Sequence, residues 1–160
     1  MTALCKTYYV NPQIGSDTND GLTPEKPLAT LFAVNRLALA PGDTVLLKRG
    51  SVFEKQFLHL RCCGQKGSPI TIAAYGEGPA PRIDADGQGI WYQDYGCQLD
   101  SPTHVYRGYV SSAVLLYDAA YITLRDLEIT NRAASVLGER YSQADKMQRT
   151  GVAVVAKDKG

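Results

Sequence analysis

Nowhere in the 160 residues is there an apolar run of about eighteen, the length a helix needs to cross a bilayer, so no membrane span is written into the chain. Net charge is equally absent. Seventeen basic residues stand against sixteen acidic ones, which removes the electrostatic case for a nucleic-acid partner or a membrane surface. Histidine is scarce, and the four cysteines (Cys5, Cys62, Cys63 and Cys97) offer no metal or redox spacing. The adjacent Cys62-Cys63 pair fits neither a zinc pattern nor a dithiol motif. Free, partly buried thiols are the expectation, which favours a reducing compartment or an export route without oxidation. The opening Met1 to Val10 has no basic stretch followed by an apolar one, so no secretory leader is expected in this piece. Phenylalanine is rare, at three, whereas tyrosine is abundant, at ten, beside a single tryptophan. Such amphipathic rings suit strand surfaces and binding faces.

What is present is a central stretch, Ser112 to Arg132, with three short apolar pieces: Val114 to Leu116, Ile122 to Leu124 and Leu127 to Ile129. Each is too short for a helix and reads as a half-buried strand. The linkers between them, Tyr117 to Tyr121 and Arg125-Asp126, lack the Gly or Asn that a tight hairpin normally uses for positive φ. Strands that do not fold back must bend onward, and successive bends in one sense wind a chain into a coil. Each coil then hides its inner face only by stacking on the next. The expected architecture is all-β: a right-handed parallel β-helix, or solenoid, with an N-terminal capping helix. With 44% apolar content, a single core and a single domain follow.

The divisions expected along the chain are a cap region at 1–43, first coils at 44–132 with an aromatic excursion at 88–110, a polar loop at 133–150, and the start of a further coil at 151–160. Thr7 to Val10 opens as a strand. Asp17, Asn19 and Asp20 would serve either as calcium-type oxygen ligands or as Asx turns, and the missing remainder of a calcium loop favours turns. Leu28 to Ala40 reads as a helix with Thr30 as N-cap, Leu31, Val34 and Ala38 on one face, and Pro41-Gly42-Asp43 as its stop. That helix would cover the open end of the first coil. Further strands are expected at Thr44 to Lys48, Gln56 to Leu60, Ile70 to Tyr75, Arg82-Ile83 and Gly151 to Ala156, with Gly and Pro between them. Gln88 to Val110 reads as an irregular aromatic loop. The chain ends just past the last strand, so a truncated piece of a longer protein is expected.

Particular words in the sequence carry a resemblance. Tyr8-Tyr9-Val10-Asn11-Pro12 followed by Gly15 to Gly21, then Pro27 to Leu31, Pro41 to Val45, Ser68 to Ile72, Asp84 to Gly87 and Tyr121 to Asn131, occur in order over most of residues 7–132. This resembles the opening of bacterial right-handed parallel β-helix proteins of the pectate-lyase-like superfamily. Within it, the chain most resembles the amino-terminal part of glycosidases of the lacto-N-biosidase kind. The resemblance implies a glycoside hydrolase acting on oligosaccharides or glycans, with catalytic residues on later coils, so that this piece alone would be inactive. The alternatives are a polysaccharide lyase acting on uronate polymers, or a non-catalytic carbohydrate-binding or surface module. The implied partners are a carbohydrate and the remainder of the same β-helix or a complementary subunit, with no nucleic acid. No cofactor is implied, except calcium in the lyase case. The parent would be extracellular or at the cell surface, with the cytoplasm as the alternative.

Several residues are candidates for the chemistry. Asp84 and Asp86, two apart, would share one face of a strand at about 7 Å along the backbone. That lies within the roughly 6.5–9.5 Å that separates acid and base in an inverting glycosidase. Asp86-Gly87 also reads as an ordinary turn. Asp118 and Asp126 sit at the bends, where capping of backbone N–H groups competes with catalysis. Asn131 reads as a corner residue hydrogen-bonded along the stack. Trp91, Tyr92, Tyr95, His104 and Arg107 in the aromatic excursion are the candidates for sugar contact, since pyranose C–H faces pack on flat rings and hydroxyls need polar partners. A lyase would need a basic residue beside a cation, for which Arg132, Arg140, Lys146 and Arg149 are available. The interleaved Glu139 and Asp145 favour a solvated loop instead. No metal site is expected.

Overall fold

The computed structural model describes residues 4–96, 107–132 and 147–158. Short strands dominate, and all but one of the strand pairings are parallel. After β1 (Thr7–Val10), the chain passes in turn through three sheets. The first pass is β2 (Thr44–Lys48), β3 (Val52–Glu54) and β4 (Leu58–Leu60), one strand for each of sheets A, B and C. The second is β5 (Ile70–Tyr75), β6 (Arg82–Asp84) and β8 (Arg107–Tyr117), and the third is β9 (Ile122–Leu124), β10 (Glu128–Thr130) and β11 (Arg149–Val155). Sheet A runs β1-β2-β5-β9, sheet B runs β3-β6-β10 and sheet C runs β4-β8-β11.

In-register parallel pairing stacks like side chains above one another, because alternate residues of a strand face alternate sides. Tyr8, Val45, Ile72 and Leu124 form one inner row in sheet A. Phe53, Ile83 and Ile129 form the row in sheet B. Leu58, Val114 and Val152, with Leu60, Leu116 and Val154, form the rows in sheet C. The three sets of rows meet in one core, where Phe53, Leu58, Ile72, Ile83 and Val114 are wholly buried. The rows end at β11, where Val154 is 70% exposed.

Six features depart from the sequence expectation. The helix is one turn, α1 (Leu31–Val34), not Leu28 to Ala40. Thr30 does cap it, its Oγ1 accepting the Ala33 N–H at 3.2 Å, and Leu31 and Val34 are buried. After Asn35 the turn tightens, the Arg36 and Leu37 N–H groups bonding the Ala33 and Val34 carbonyls at 3.1 and 3.0 Å, and the Asn35 side chain pins this end: its Nδ2 donates to the Phe57 carbonyl at 3.0 Å and its Oδ1 accepts the His59 N–H at 2.8 Å. Beyond it Leu39 is buried and Ala38 exposed, the reverse of the helical pattern. A strand not anticipated, β3, carries Phe53 into the core, and β4 begins at Leu58 because Gln56 instead accepts the Leu31 N–H at 2.8 Å. Arg149 and Thr150, expected in the polar loop, belong to β11, and the rest of that loop through residue 146 lies outside the described residues.

The aromatic segment is not an irregular loop. β7 (Ile90–Asp94) pairs antiparallel with the first half of β8, from Ile90 opposite Ser111 to Asp94 opposite Arg107, so the two form a ribbon off sheet C. Finally, the linkers of the central stretch do use positive φ, at Asp118 (49°), Tyr121 (52°) and Asp126 (60°). Asp is one of the residues that tolerates this region, through local hydrogen bonding. Here the left-handed residue turns the chain onward into the next sheet. It does not reverse it.

Candidate functional site: an outer groove on sheet B and an aromatic ribbon

The outer face of sheet B ends in a groove of about 230 Å³ lined by Glu54, Lys55, Asp84, Asp86 and Arg132. All three passes contribute to it. Glu54 closes β3 and Asp84 closes β6, and the two are register partners, with Thr130 of β10 next in the same row. Lys55 and Asp86 follow those strand ends, both at positive φ (54° and 43°), which swings their side chains off the strand line. Gly87, at φ 77°, completes the second turn, and a Cβ there would come within 2.8 Å of the Arg149 guanidinium.

The two sequence candidates therefore lie beside one groove but in different settings. Asp84 is on the strand, and its Oδ1 is buried with no hydrogen-bond partner. Asp86 lies in the turn, facing Arg149 Nη1 at 3.7 Å. Glu54 and Lys55, which complete the groove, were missed because β3 was missed. The available signal was the Val52-Phe53 pair, a β-branched residue beside an aromatic, too short a run to stand out from a loop.

Behind the groove runs a polar spine. Asn131 is buried; its Oδ1 accepts the Gly87 N–H at 2.9 Å, and its Nδ2 donates to Ser111 Oγ and the Thr150 carbonyl, each at 3.0 Å. Ser111 Oγ donates in turn to the Gln88 carbonyl. Ser112 Oγ lies 2.7 Å from Thr150 Oγ1 and accepts the Trp91 indole N–H at 2.8 Å. Asn131 is thus a corner residue bonded along the stack, and the spine runs on to the ribbon.

In that ribbon, Trp91 is half-buried, its ring edge-on to Tyr117 at 6.3 Å, while Arg61 lies over the Tyr117 ring at 4.4 Å. Tyr92 and Tyr109 pack edge to face at 5.3 Å on the opposite surface, where they are 53% and 67% exposed. Tyr95 is also exposed, and Arg107 Nε donates to Asp94 Oδ1 at 3.0 Å. The Asp94 carboxyl is held below its usual pKa, first by the Gly96 N–H at 2.8 Å and then by the Arg107 side chain. Of the sugar-contact candidates, Tyr92, Tyr95 and Arg107 therefore share the ribbon's exposed parts, and Trp91 faces inward. His104 lies outside the described residues, as do Arg140 and Lys146.

Most of the remaining candidates hold loop and turn backbone in place. Asp17 accepts from the Ala29 and Thr30 N–H groups at 2.9 and 3.0 Å and from Thr30 Oγ1 at 2.6 Å. Asp20 accepts from Leu22 N–H at 3.0 Å, and Asn19 Nδ2 donates to the Pro27 carbonyl at 2.8 Å. Asp118 Oδ1 accepts the N–H groups of Lys157 and Asp158 at 2.7 and 3.0 Å, tying one pass to the next. Asp126 lies 3.5 Å from Arg125 at an exposed bend. Cys5, Cys62 and Cys63 are free, and burial pushes the Cys62 thiol up. Among the described residues, no group of three or more His, Cys, Asp or Glu side chains is arranged to hold a metal ion, and no helix is long and apolar enough to cross a membrane.

The chain is 62% identical to the GH136 lacto-N-biosidase from Eubacterium ramulus, and the native crystal structure of that protein superposes with a TM-score of 0.87 over 97% of this chain. This chain is similar to one part of a lacto-N-biosidase. The selenomethionine derivative of the same enzyme gives a TM-score of 0.86 over 95% of the chain. The lacto-N-biosidase of Bifidobacterium longum subsp. longum is 37% identical over 175 aligned positions, covering 95% of this chain. The chain spans 24–25% of the length of the solved relative and 11% of the bifidobacterial one. No family model matches it.

Proposed function

We propose that this chain is the amino-terminal part of a glycoside hydrolase of the lacto-N-biosidase kind acting on oligosaccharides, and that its three passes are the first coils of a right-handed parallel β-helix. The observation that carries the functional reading is 62% identity along nearly the whole chain to an enzyme of that name. The solenoid reading rests on the threefold recurrence of sheets A, B and C with in-register parallel pairing. Its hand follows from the near-universal right-handedness of parallel crossovers. The remainder of the stack, in the same polypeptide or a complementary subunit, would cover β9, β10 and β11.

Within that enzyme the ribbon is assigned to sugar contact. Tyr92, Tyr109 and Tyr95 offer exposed rings for pyranose C–H faces, Asp94 and Arg107 offer hydroxyl partners, and His104 belongs to the same segment. Trp91 anchors the ribbon to the sheet. A hydrolase is favoured over a lyase because the sheet B groove is lined by three carboxylates, Glu54, Asp84 and Asp86, against two bases, Lys55 and Arg132, whereas a uronate polymer calls for a surplus of positive charge.

The experiment is hydrolysis of a glycan panel, including lacto-N-tetraose and uronate polymers, by the protein that contains this chain, with and without residues 90–109. Release of a disaccharide from the neutral oligosaccharides, lost or slowed without the ribbon, is the expected result. Cleavage of uronate polymers with formation of an unsaturated product would overturn the reading.

A further inference from the structure

We propose that Asn35 stands in for a strand: its side-chain amide fills one residue's place beside β4 and so bars the open β9–β11 end of a second copy of this chain from stacking there. The stacked sheets alone carry this, and the glycosidase reading does not enter it.

A stack of parallel strands has two ends, and each presents unpaired N–H and C=O groups that a further strand can use. In parallel pairing, a residue of the incoming strand donates its N–H to the carbonyl one position before its opposite number and accepts the N–H one position after it. Leu28 does this in sheet A. Opposite Val10, its N–H donates to the Tyr9 carbonyl at 2.9 Å and its carbonyl accepts the Asn11 N–H at 2.8 Å. In sheet C a side chain takes that place. Asn35 Nδ2 donates to the Phe57 carbonyl at 3.0 Å and Asn35 Oδ1 accepts the His59 N–H at 2.8 Å, the two bonds a strand residue opposite Leu58 would make. Gln56 Oε1 adds a third link, accepting the Leu31 N–H at 2.8 Å and holding the turn of α1 against the same edge. Sheet B ends on β3, whose three residues form an edge too short to hold a strand alone.

The opposite end carries no such stand-in among the described residues. β9, β10 and β11 are the last strands of their sheets, and Val152 and Val154 are 46% and 70% exposed where the inner rows of sheet C run out. Those two residues continue the rows of Leu58 and Leu60, so the β11 end of one copy matches the β4 end of another in pattern. A contact between these two ends joins unlike surfaces. It does not close on itself, and it would extend from copy to copy into a filament. Asn35 prevents this by occupying the two groups on β4 that an incoming strand needs, and leaves the β9–β11 end as the one place where strands can be added.

The test is sedimentation velocity of the 160-residue chain and of Asn35→Ala at rising concentration. The parent should go no further than a closed tail-to-tail dimer, whereas Asn35→Ala should grow past it. In dilute Asn35→Ala the His59 amide should exchange at least about tenfold faster than in the parent, and slow again as copies add. Asn35→Ala combined with Val154→Lys should not grow, because the charge lies in the surface that would dock on β4. Ile72→Val, wholly buried on a central strand of sheet A, weakens the fold without opening an end and should not grow either. Thermal melts establish that each variant is folded, and Asn35→Ser, too short to reach both groups, serves the same comparison if Asn35→Ala does not fold. The role of Asn35 is overturned if the folded variant stays at the parent's size or keeps the parent's His59 exchange. It is equally overturned if Ile72→Val grows in the same way, if growth survives Val154→Lys, or if the parent itself grows past the dimer.

Discussion

The side-chain amide of Asn131 donates to the Ser111 hydroxyl at 3.0 Å, joining the corner after β10 to the point on β8 where its partner changes from β7 to β4. The same amide accepts the N–H of Gly87 and so fixes the turn that carries Asp86. Asn131→Ala leaves several partially buried groups without partners. A loss of about 1–3 kcal/mol is expected, read as a lower urea midpoint with an unchanged slope. Asn131→Asp keeps the acceptor for Gly87 and loses the donors, so it should fall short of the parent as well. A parent-like midpoint for Asn131→Ala would remove the spine from the account.

Phe53 is wholly buried and its neighbour Val52 exposed on the same short strand. Phe53→Ala should destabilise by about 3–5 kcal/mol, since it empties the β3 end of the sheet B row, where the side chain is wholly buried. Val52→Ala should stay within about 0.5 kcal/mol. Equal effects at the two positions would mean that β3 does not present Phe53 to the core.

His59 donates its Nε2–H to the Ser112 carbonyl at 2.9 Å, and burial holds its pKa below the ordinary histidine value of 6.5. A histidine whose folded pKa is lowered takes up protons more readily when unfolded, so stability is full above pH 6.5 and falls as pH drops from there towards the folded pKa. Thermal melts between pH 7.5 and pH 5 should therefore show a declining Tm, and His59→Gln should flatten that decline. A Tm rising over the same interval would reverse the assigned sign.

Trp91 is the chain's single tryptophan, and its indole N–H donates to Ser112 Oγ at 2.8 Å. Its fluorescence therefore reports ribbon docking directly. Ser112→Ala should cost about 1 kcal/mol or more by removing the acceptor, and should shift the emission to the red with greater iodide quenching. Unchanged emission in Ser112→Ala would show that the ring edge against Tyr117 holds the ribbon without the hydrogen bond.

The sequence by itself determined the β character, the strands at Thr7–Val10, Thr44–Lys48 and Ile70–Tyr75, and the Thr30 cap, because these depend on local alternation and on a side chain reaching its own backbone. It also marked Asn131 as a corner, since an Asn directly after a strand end has only backbone and stack neighbours to satisfy. Tertiary structure decided the rest. The predicted helix is only Leu31–Val34: the Arg36 and Leu37 N–H groups bond three residues back, and the Asn35 side chain ties the end of the turn to the Phe57 and His59 backbone, contacts that exist only in the folded chain. The ribbon formed because β8 runs past the end of β4 and exposes an edge that β7 covers. Glu54 and Asp84 are thirty positions apart in the chain and share a groove only through the register of β3 with β6. Local propensity acts over a few residues, whereas register between successive passes is set by the burial of whole rows, and a row exists only once the passes have stacked.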